Sequence, residues 1–337
     1  MADGRARALR RQTWRSLSHP LVSAVMRRLA LSVPLLFLVS ALVFLLMSLT
    51  PGNATETILG SPVLSGLPES AYRQLAHQLG LDQPLYAQYW HWLSHAIHGD
   101  LGTSLITKQP VTQAIAQRFP VTLSLVVGAL IVGVTLGVGL GVVSAVRGGV
   151  FGRAVDVLAM VGWIVPVYWL AAELVVVFAV KLGWTPAIGY VPFAQSPGDW
   201  FRSLVLPVSA LSLGPVGMFA KFTREAMLDA LSSEYIRMAR ANGLSPVSII
   251  MRHALKTASL QVVTLVGLLT VGLLAGTVFV ETVFALPGLG SLMVTGAQQH
   301  DVTMVQGLAV FFTLIVVGVN LTVDVAYGVL SPKVRVA

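Results

Sequence analysis

The stretch VGALIVGVTLGVGLGVV, Val127–Val143, admits two readings that lead to different folds. Its G-x-G-x-G core (Gly137, Gly139, Gly141) resembles a dinucleotide-binding turn, which requires a strand before it and a soluble helix after it. Neither is present. The apolar run extends over Val121–Val146, long enough to cross a bilayer core of about 30 Å as a helix. Read as a span, Gly133, Gly137 and Gly141 form a small-xxx-small stripe along which another helix can approach closely.

The rest of the chain agrees with the membrane reading. Its 337 residues are 55% hydrophobic and 11% charged, with a mean hydropathy of +0.79, too little charge to cover a soluble domain of this length. Further apolar runs lie at Leu29–Leu49, Val155–Val180, Ser203–Phe222, Ser259–Val280 and Met304–Leu330, predicting an all-α polytopic membrane protein with six transmembrane helices. With the N-terminus in the cytoplasm, only Arg73, Lys108, Arg118, Lys181 and Arg202 of the 22 lysines and arginines fall outside. The positive-inside rule therefore places both termini in the cytoplasm. A pI near 10.1 thus reflects cytoplasmic loops and tails rather than nucleic-acid binding.

This divides the chain into a basic cytoplasmic N-tail (1–28), a first span (29–49), an extracytoplasmic segment (50–120), a core (121–330) and a short cytoplasmic C-tail (331–337). The first apolar run is too long for the core of a signal peptide and no small-x-small cleavage site follows, so it reads as an uncleaved anchor. In the outer segment, Tyr86, Tyr89, Trp90 and Trp92 recur at helical spacing, which predicts a short interfacial helix. His91, His95 and His98 share one face of it. Such spacing can gather imidazoles on a metal, but no carboxylate is near in sequence, and a polar helix edge is the plainer reading.

Chemistry motifs are missing. The sequence has no phosphate-binding G-x-x-x-x-G-K-[ST], no H-E-x-x-H and no G-x-S-x-G. Without cysteine there is no thiolate chemistry, no disulfide and no Cys-ligated metal. A membrane enzyme would need a polar catalytic cluster within the spans, and none is evident; a non-transporting scaffold is the remaining class.

The longest internal cytoplasmic loop, 223–258, contains EYIRMARANGLSPVSIIMRHALKTA, Glu234–Ala258. Ser232 or Ser233 can cap a helix there, with Glu234 at its positive end. Tyr235, Met238, Ala239 and Asn242 then share a face, and Asn242-Gly243 stops the helix. Ser245-Pro246 starts a second helix with Val247, Ile250, Met251, Ala254 and Leu255 as its apolar stripe. Two short amphipathic helices joined at glycine make a knob suited to a groove on a partner, or a loop lying on headgroups.

Tyr235, Ile236, Arg237, Ala239, Arg240, Ala241, Gly243 and Leu244, followed by Arg252, His253, Ala254 and Leu255, resemble the EAA loop of binding-protein-dependent ABC importer permeases of the dipeptide and oligopeptide type. The family's Glu falls at Arg237 and its first Ala at Met238, with Glu234 one turn earlier. LGLDQPLYAQYWHWL (Leu79–Leu93), GDLGTS (Gly99–Ser104), ETVFALPGLG (Glu281–Gly290) with Asp301, and NLTVDVAYGVLSPKVR (Asn320–Arg335) are similar to other segments of the B-type subunit, in the same order.

The resemblance implies a multi-pass protein of the bacterial inner membrane that pairs with a second homologous permease. Two ATPase subunits would dock on the EAA loops, with Glu234, Tyr235, Arg237, Met238, Ala239, Arg240, Gly243 and Leu244 as coupling residues. An external binding protein would deliver peptide. ATP and Mg would belong to the ATPase chains, and no cofactor, metal or nucleic acid to this one. The same architecture could carry nickel, haem or another peptide-sized ligand. Gating or pathway candidates are Glu281, Pro287, Gly288 and Gly290 at the outer face, Asp324 near the cytoplasm, and Glu173 within the third span. A carboxylate such as Glu173, near the middle of an apolar run, is expected either to line the pathway or to be protonated and hydrogen-bonded.

Overall fold

The computed structural model describes the backbone of residues 2–50 and 68–330, with side chains over 25–50 and 68–327. The arginines of the N-tail from Arg5 to Arg15, as side chains, and the C-tail with Lys333 and Arg335 lie outside the described residues, as does 51–67 of the outer segment. Eleven helical stretches follow in chain order. They are α1 (Ala2–Leu49), α2 (Glu69–Gln78), α3 (Leu85–Ala96), α4 (Val111–Arg147), α5 (Gly149–Ile164), α6 (Val167–Leu174, continued in π geometry through Lys181), α7 (Pro197–Ser232), α8 (Glu234–Ala241), α9 (Pro246–Val283), α10 (Leu289–Gln298) and α11 (Val302–Leu330). Among the described residues the only β pairing is an isolated bridge between Thr103 and Pro110.

Parts of α1, α4, α7, α9 and α11 are each long and apolar enough to cross a membrane, and the pair α5–α6, taken as one crossing, makes six. That pair is not the straight third span the sequence suggests: its halves meet at 97°. The cause is Pro166, which lacks an N–H and pushes Val165 into extended backbone (ψ 121°). At 1.5 Å per residue, α5 reaches only about 24 Å before the turn.

Other boundaries also move. Helix α4 starts at Val111 rather than Val121, because Pro120 is carried inside it at the loss of one backbone hydrogen bond. Helix α1 runs unbroken from Ala2, so the N-tail and first span are one element. Helix α7 continues through Lys221, Arg224, Glu225 and Asp229 to Ser232, and α9 begins at Pro246. The loop expected over 223–258 therefore contracts to α8 and its flanks, and its second helix is not separate but the first turns of α9.

Helix α7 is the centre. Its most apolar window is 67% buried, against 11% for α1, and α4, α5 and α9 all pack on it. The expected glycine stripe faces it. A Cβ on Gly133 would lie 2.8 Å from Pro215, one on Gly137 would lie 2.5 Å from Phe219 Cβ, and one on Gly141 would lie 2.6 Å from the Ala220 carbonyl. Helix α5 crosses the other side of α7 in the same way, with Gly217 against Ala159 and Gly162 against the Leu213 carbonyl. Helix α1 stays peripheral, held to α11 by the Arg28–Asp324 ion pair at 2.7 Å.

Gly137→Val should therefore separate α4 from α7, at a cost of about 1–3 kcal/mol or more for the overpacking. Gly139→Ala, which meets nothing within 4 Å, should leave stability unchanged. Thermal unfolding of the two variants in detergent, followed by size-exclusion chromatography, measures the difference; equal stability would remove the seam from the fold's foundations.

Candidate functional site

Three regions gather the distinctive residues. For orientation, the end holding α8, Arg28 and Arg224 is termed the basic end.

At the opposite end, the outer-face candidates converge on buried carboxylates. Glu281, on the last turn of α9, is fully buried. It accepts hydrogen bonds from Thr122 Oγ1 of α4 (2.7 Å) and from the Ser291 N–H of α10 (2.8 Å), while Thr122 Oγ1 accepts from the Leu289 N–H at 2.8 Å. A carboxylate from one helix thus satisfies the free N–H groups at the start of another, where the helix dipole favours negative charge. Gly288 is explained by this contact rather than by a turn: its φ is −100°, and a Cβ there would sit 2.1 Å from the Glu281 carboxyl carbon. A Cβ on Gly290 would lie 2.7 Å from Val278 Cα and 3.0 Å from Glu281 Oε2. Pro287 sits in the short connection between α9 and α10.

Asp301 repeats the device for α11. It is 2% exposed, accepts from the Met304 N–H at 3.2 Å as an N-cap, and accepts from Ser104 Oγ and the Leu105 N–H. Val111, Leu289, Met304 and Leu308 pack beneath as a small apolar core. Segments GDLGTS and ETVFALPGLG, far apart in sequence, are two halves of one assembly. Sequence reasoning missed Thr122 and Ser291, whose only signal is a hydroxyl amid apolar neighbours.

Around the middle, Pro166, Trp163, Gly162, Gly214, Gly272 and Asn320 line a concavity of about 680 Å³ in the elbow of α5–α6, closed by α7 and α9. Its wall carries no charged side chain; Asn320 supplies the amide. None of the six gating candidates lines it. Glu173 lies beyond the bend on α6 and is exposed on this chain, not within its interior. Asp324 is taken up by Arg28. A further pair, unanticipated from sequence, joins Asp156 of α5 to Arg224 of α7 at 3.1 Å over Gly152. The available signal was an acid at one span's start and a base at another's end, on the same side of the membrane.

At the basic end, α8 closes in a Schellman motif: Leu244 N–H donates to the Ala239 carbonyl and Gly243 N–H to Arg240, with Gly243 at φ +77°. Ser233 is the N-cap, but its hydroxyl donates to the Ala230 carbonyl instead of capping; Ser245 does cap, accepting from the Ser248 N–H. The face that packs inward is Ile236 and Ala239 against Ile249, not the Tyr235–Met238 face. Tyr235, Met238, Leu244, Val247 and Met251 are exposed instead, flanked by Arg237 and Arg240. Glu234 makes a loose 3.6 Å pair with Arg237 in the same helix. A π segment, Ile249–Ala254, lies beneath.

The histidine helix forms but ends at Ala96, so that His98 lies beyond it; Tyr86 and Trp90 are exposed, while Tyr89 turns in to Phe37, Phe44 and the Ser40 hydroxyl. Nδ1 of His95 and of His98 bond to carbonyls one turn back. Among the described residues no group of three or more His, Asp or Glu is arranged to hold a metal.

Comparison with known proteins places these features in context. A family model described as a binding-protein-dependent transport system inner membrane component matches residues 133–336, and one for the N-terminal part of such components matches 21–126. A protein of Brucella abortus provisionally named a peptide transport system permease is 41% identical over 316 residues, covering 94% of this chain and 99% of the relative. The glutathione transport system permease GsiC of Escherichia coli is 37% identical over 316 residues, with the same coverage of each. Among solved structures, the inward-facing methionine ABC transporter MetNI matches with a TM-score of 0.52 at 16% identity, covering 65% of this chain and 97% of that one, a likeness of fold.

Thr122→Val would leave the Leu289 N–H and one Glu281 oxygen without their partner, a loss of about 1–3 kcal/mol. Hydrogen exchange across Phe284–Gln298 should accelerate in this variant while exchange in α8 stays unchanged. Unaltered protection of α10 would show that Thr122 does not hold it.

Proposed function

The chain belongs to the family of binding-protein-dependent transport system inner-membrane components, and from that premise we propose that it is the permease of a peptide importer. It forms the pathway together with a second, homologous permease. Two ATPase subunits bind and hydrolyse ATP with Mg, and an extracytoplasmic binding protein delivers the peptide. Relatives named for peptides and glutathione favour this cargo over nickel or haem.

The observation that carries the reading is the knob at the basic end. Its exposed apolar residues, Tyr235, Met238, Leu244, Val247 and Met251, project from a root of Ile236, Ala239 and Ile249 that is itself buried. A free protein gains nothing by presenting methionine and valine to water, whereas a groove on an ATPase would cover them. The distribution of Lys and Arg puts this end in the cytoplasm and the Glu281–Asp301 assembly outside. Arg237 at the family's Glu position leaves Glu234 as the acid of the knob, exposed and able to meet a base on the ATPase.

Transport then follows from geometry. Motion of the ATPases moves α8; because α8 is rooted on α7 and on the first turns of α9, the displacement reaches the helices that wall the central concavity. The concavity's uncharged wall would give a peptide neither a tight ion pair nor an obstacle to release. Pairing with the second permease would close its open side and bring exposed groups of α6, Glu173 included, towards the shared pathway.

Gly243→Val should abolish peptide uptake, because a β-branched residue resists φ +77° and the Schellman turn would open. ATPase activity should persist without stimulation by binding protein, or the ATPases should dissociate; normal uptake would remove α8 from the coupling role. Orientation is tested separately, the native chain having no cysteine. Ser232→Cys and Ser245→Cys should react with an impermeant maleimide only from the cytoplasmic side, and Ser94→Cys, exposed on α3, only from outside. Labelling of Ser94→Cys from the cytoplasm would overturn the topology.

A further inference from the structure

We propose that the outer end of this chain carries a second peptide-binding cleft, separate from the mid-membrane concavity, in which the buried amide of Gln306 is the recognition element. The cleft has a volume of about 540 Å³ and lies between α2–α3 and the head of α11. That size falls in the range of small-molecule sites, roughly 300–1,000 Å³. Gln306, one turn into α11, forms part of its wall, is only 1% exposed, and its side-chain Nε2 has no hydrogen-bond partner among the described residues. An interior amide donor without an acceptor is costly, and a residue of this kind is retained where something else supplies the acceptor.

The remaining wall defines the ligand's chemistry. Gln78 and Gln83 add amides that both donate and accept, and Phe44 and Trp92 add apolar faces. His95 commits Nδ1 to the His91 carbonyl at 2.8 Å, so its Nε2 is left for a ligand. Among the described residues no Lys or Arg lines the cleft, which argues against a phosphorylated ligand, and the one carboxylate, Asp100, already accepts from the Gly102 N–H at 2.9 Å. The arrangement of His, Asp and Glu does not suit a metal. Amides with aromatic walls and little charge match the main-chain groups of a short peptide. The inference rests on the peptide-importer reading and deepens it: released peptide is held at the outer mouth of the permease before it enters the pathway.

The test uses the assembled transporter in lipid nanodiscs, without nucleotide or binding protein, and trialanine as probe. Wild type should bind trialanine saturably, and Gln306→Leu should weaken that binding about tenfold, the consequence of one lost hydrogen bond. Because Nε2 of the replaced amide has no hydrogen-bond partner among the described residues, the peptide-free melting temperature of Gln306→Leu should equal or exceed that of wild type. His91→Ala, an exposed change on the rim, provides a second variant free of assembly problems and should lower affinity severalfold. The proposal is overturned by absence of saturable binding in wild type, by equal affinity in both variants, or by a peptide-free melting temperature that falls in Gln306→Leu. Parallel uptake assays with binding protein and ATP separate the two claims. Uptake of trialanine without cleft binding removes the cleft and leaves the importer, whereas failure to take up any peptide removes both.

Discussion

Helices in lipid are not driven together by the hydrophobic effect, since the tails they displace are as apolar as leucine; what remains is close contact. The seam between α4 and α7 supplies it. Gly133, Gly137 and Gly141 bring the α4 backbone against Pro215, Phe219 and Ala220 with no room for a methyl group. Gly162 and Gly217 do the same between α5 and α7. Helix α7 holds α4 and α5 this closely because side-chain volume is surrendered at both crossings, and α9 packs on it as a third neighbour. The central concavity is the space these crossings leave, and the knob is rooted at the basic end of the same helix.

The two ends are secured by different physics. At the end opposite the knob, where loops must be ordered without regular pairing, Glu281 and Asp301 each collect N–H and O–H donors, among them hydroxyls from segments distant in sequence. Both carboxylates serve helix N-termini, where backbone dipoles favour a negative charge. At the basic end, ion pairs do the work: Arg28 with Asp324, and Arg224 with Asp156. The carboxylate end ties its segments together by directed hydrogen bonds; the basic end holds its helices but leaves one face of α8 exposed.

Much of this was legible in the sequence. Hydropathy located the crossings, the glycine spacing identified the packing face of α4, and Asn242-Gly243 marked the end of α8 to the residue. Failures had local causes. Pro120 was read as a boundary and is carried within a helix, while Pro166, inside an uninterrupted apolar run, turns the chain through 97°. Propensity does not distinguish the two prolines; the packing around them does. Which face of α8 turns inward was left open by the sequence, because Ile236 and Tyr235 are both apolar enough to be buried, and only the position of Ile249 decides between them. Glu281 was marked as important while its partners were not, since Thr122 and Ser291 come from other helices and leave no periodic trace.

Helix α9 runs from Pro246, beside the knob, through the π turns of Ile249–Ala254 to the turn that carries Glu281. Its 38 residues, about 57 Å at 1.5 Å per residue, make one shaft with a handle at one end and a latch at the other. A shaft has no clutch. Whatever rotates or tilts the handle arrives at the latch in the same stroke, and a load that jams the latch is felt at once by the hand. A displacement at the knob and a displacement at the Glu281 turn are then not two events awaiting synchronisation but a single event observed from opposite ends of one helix.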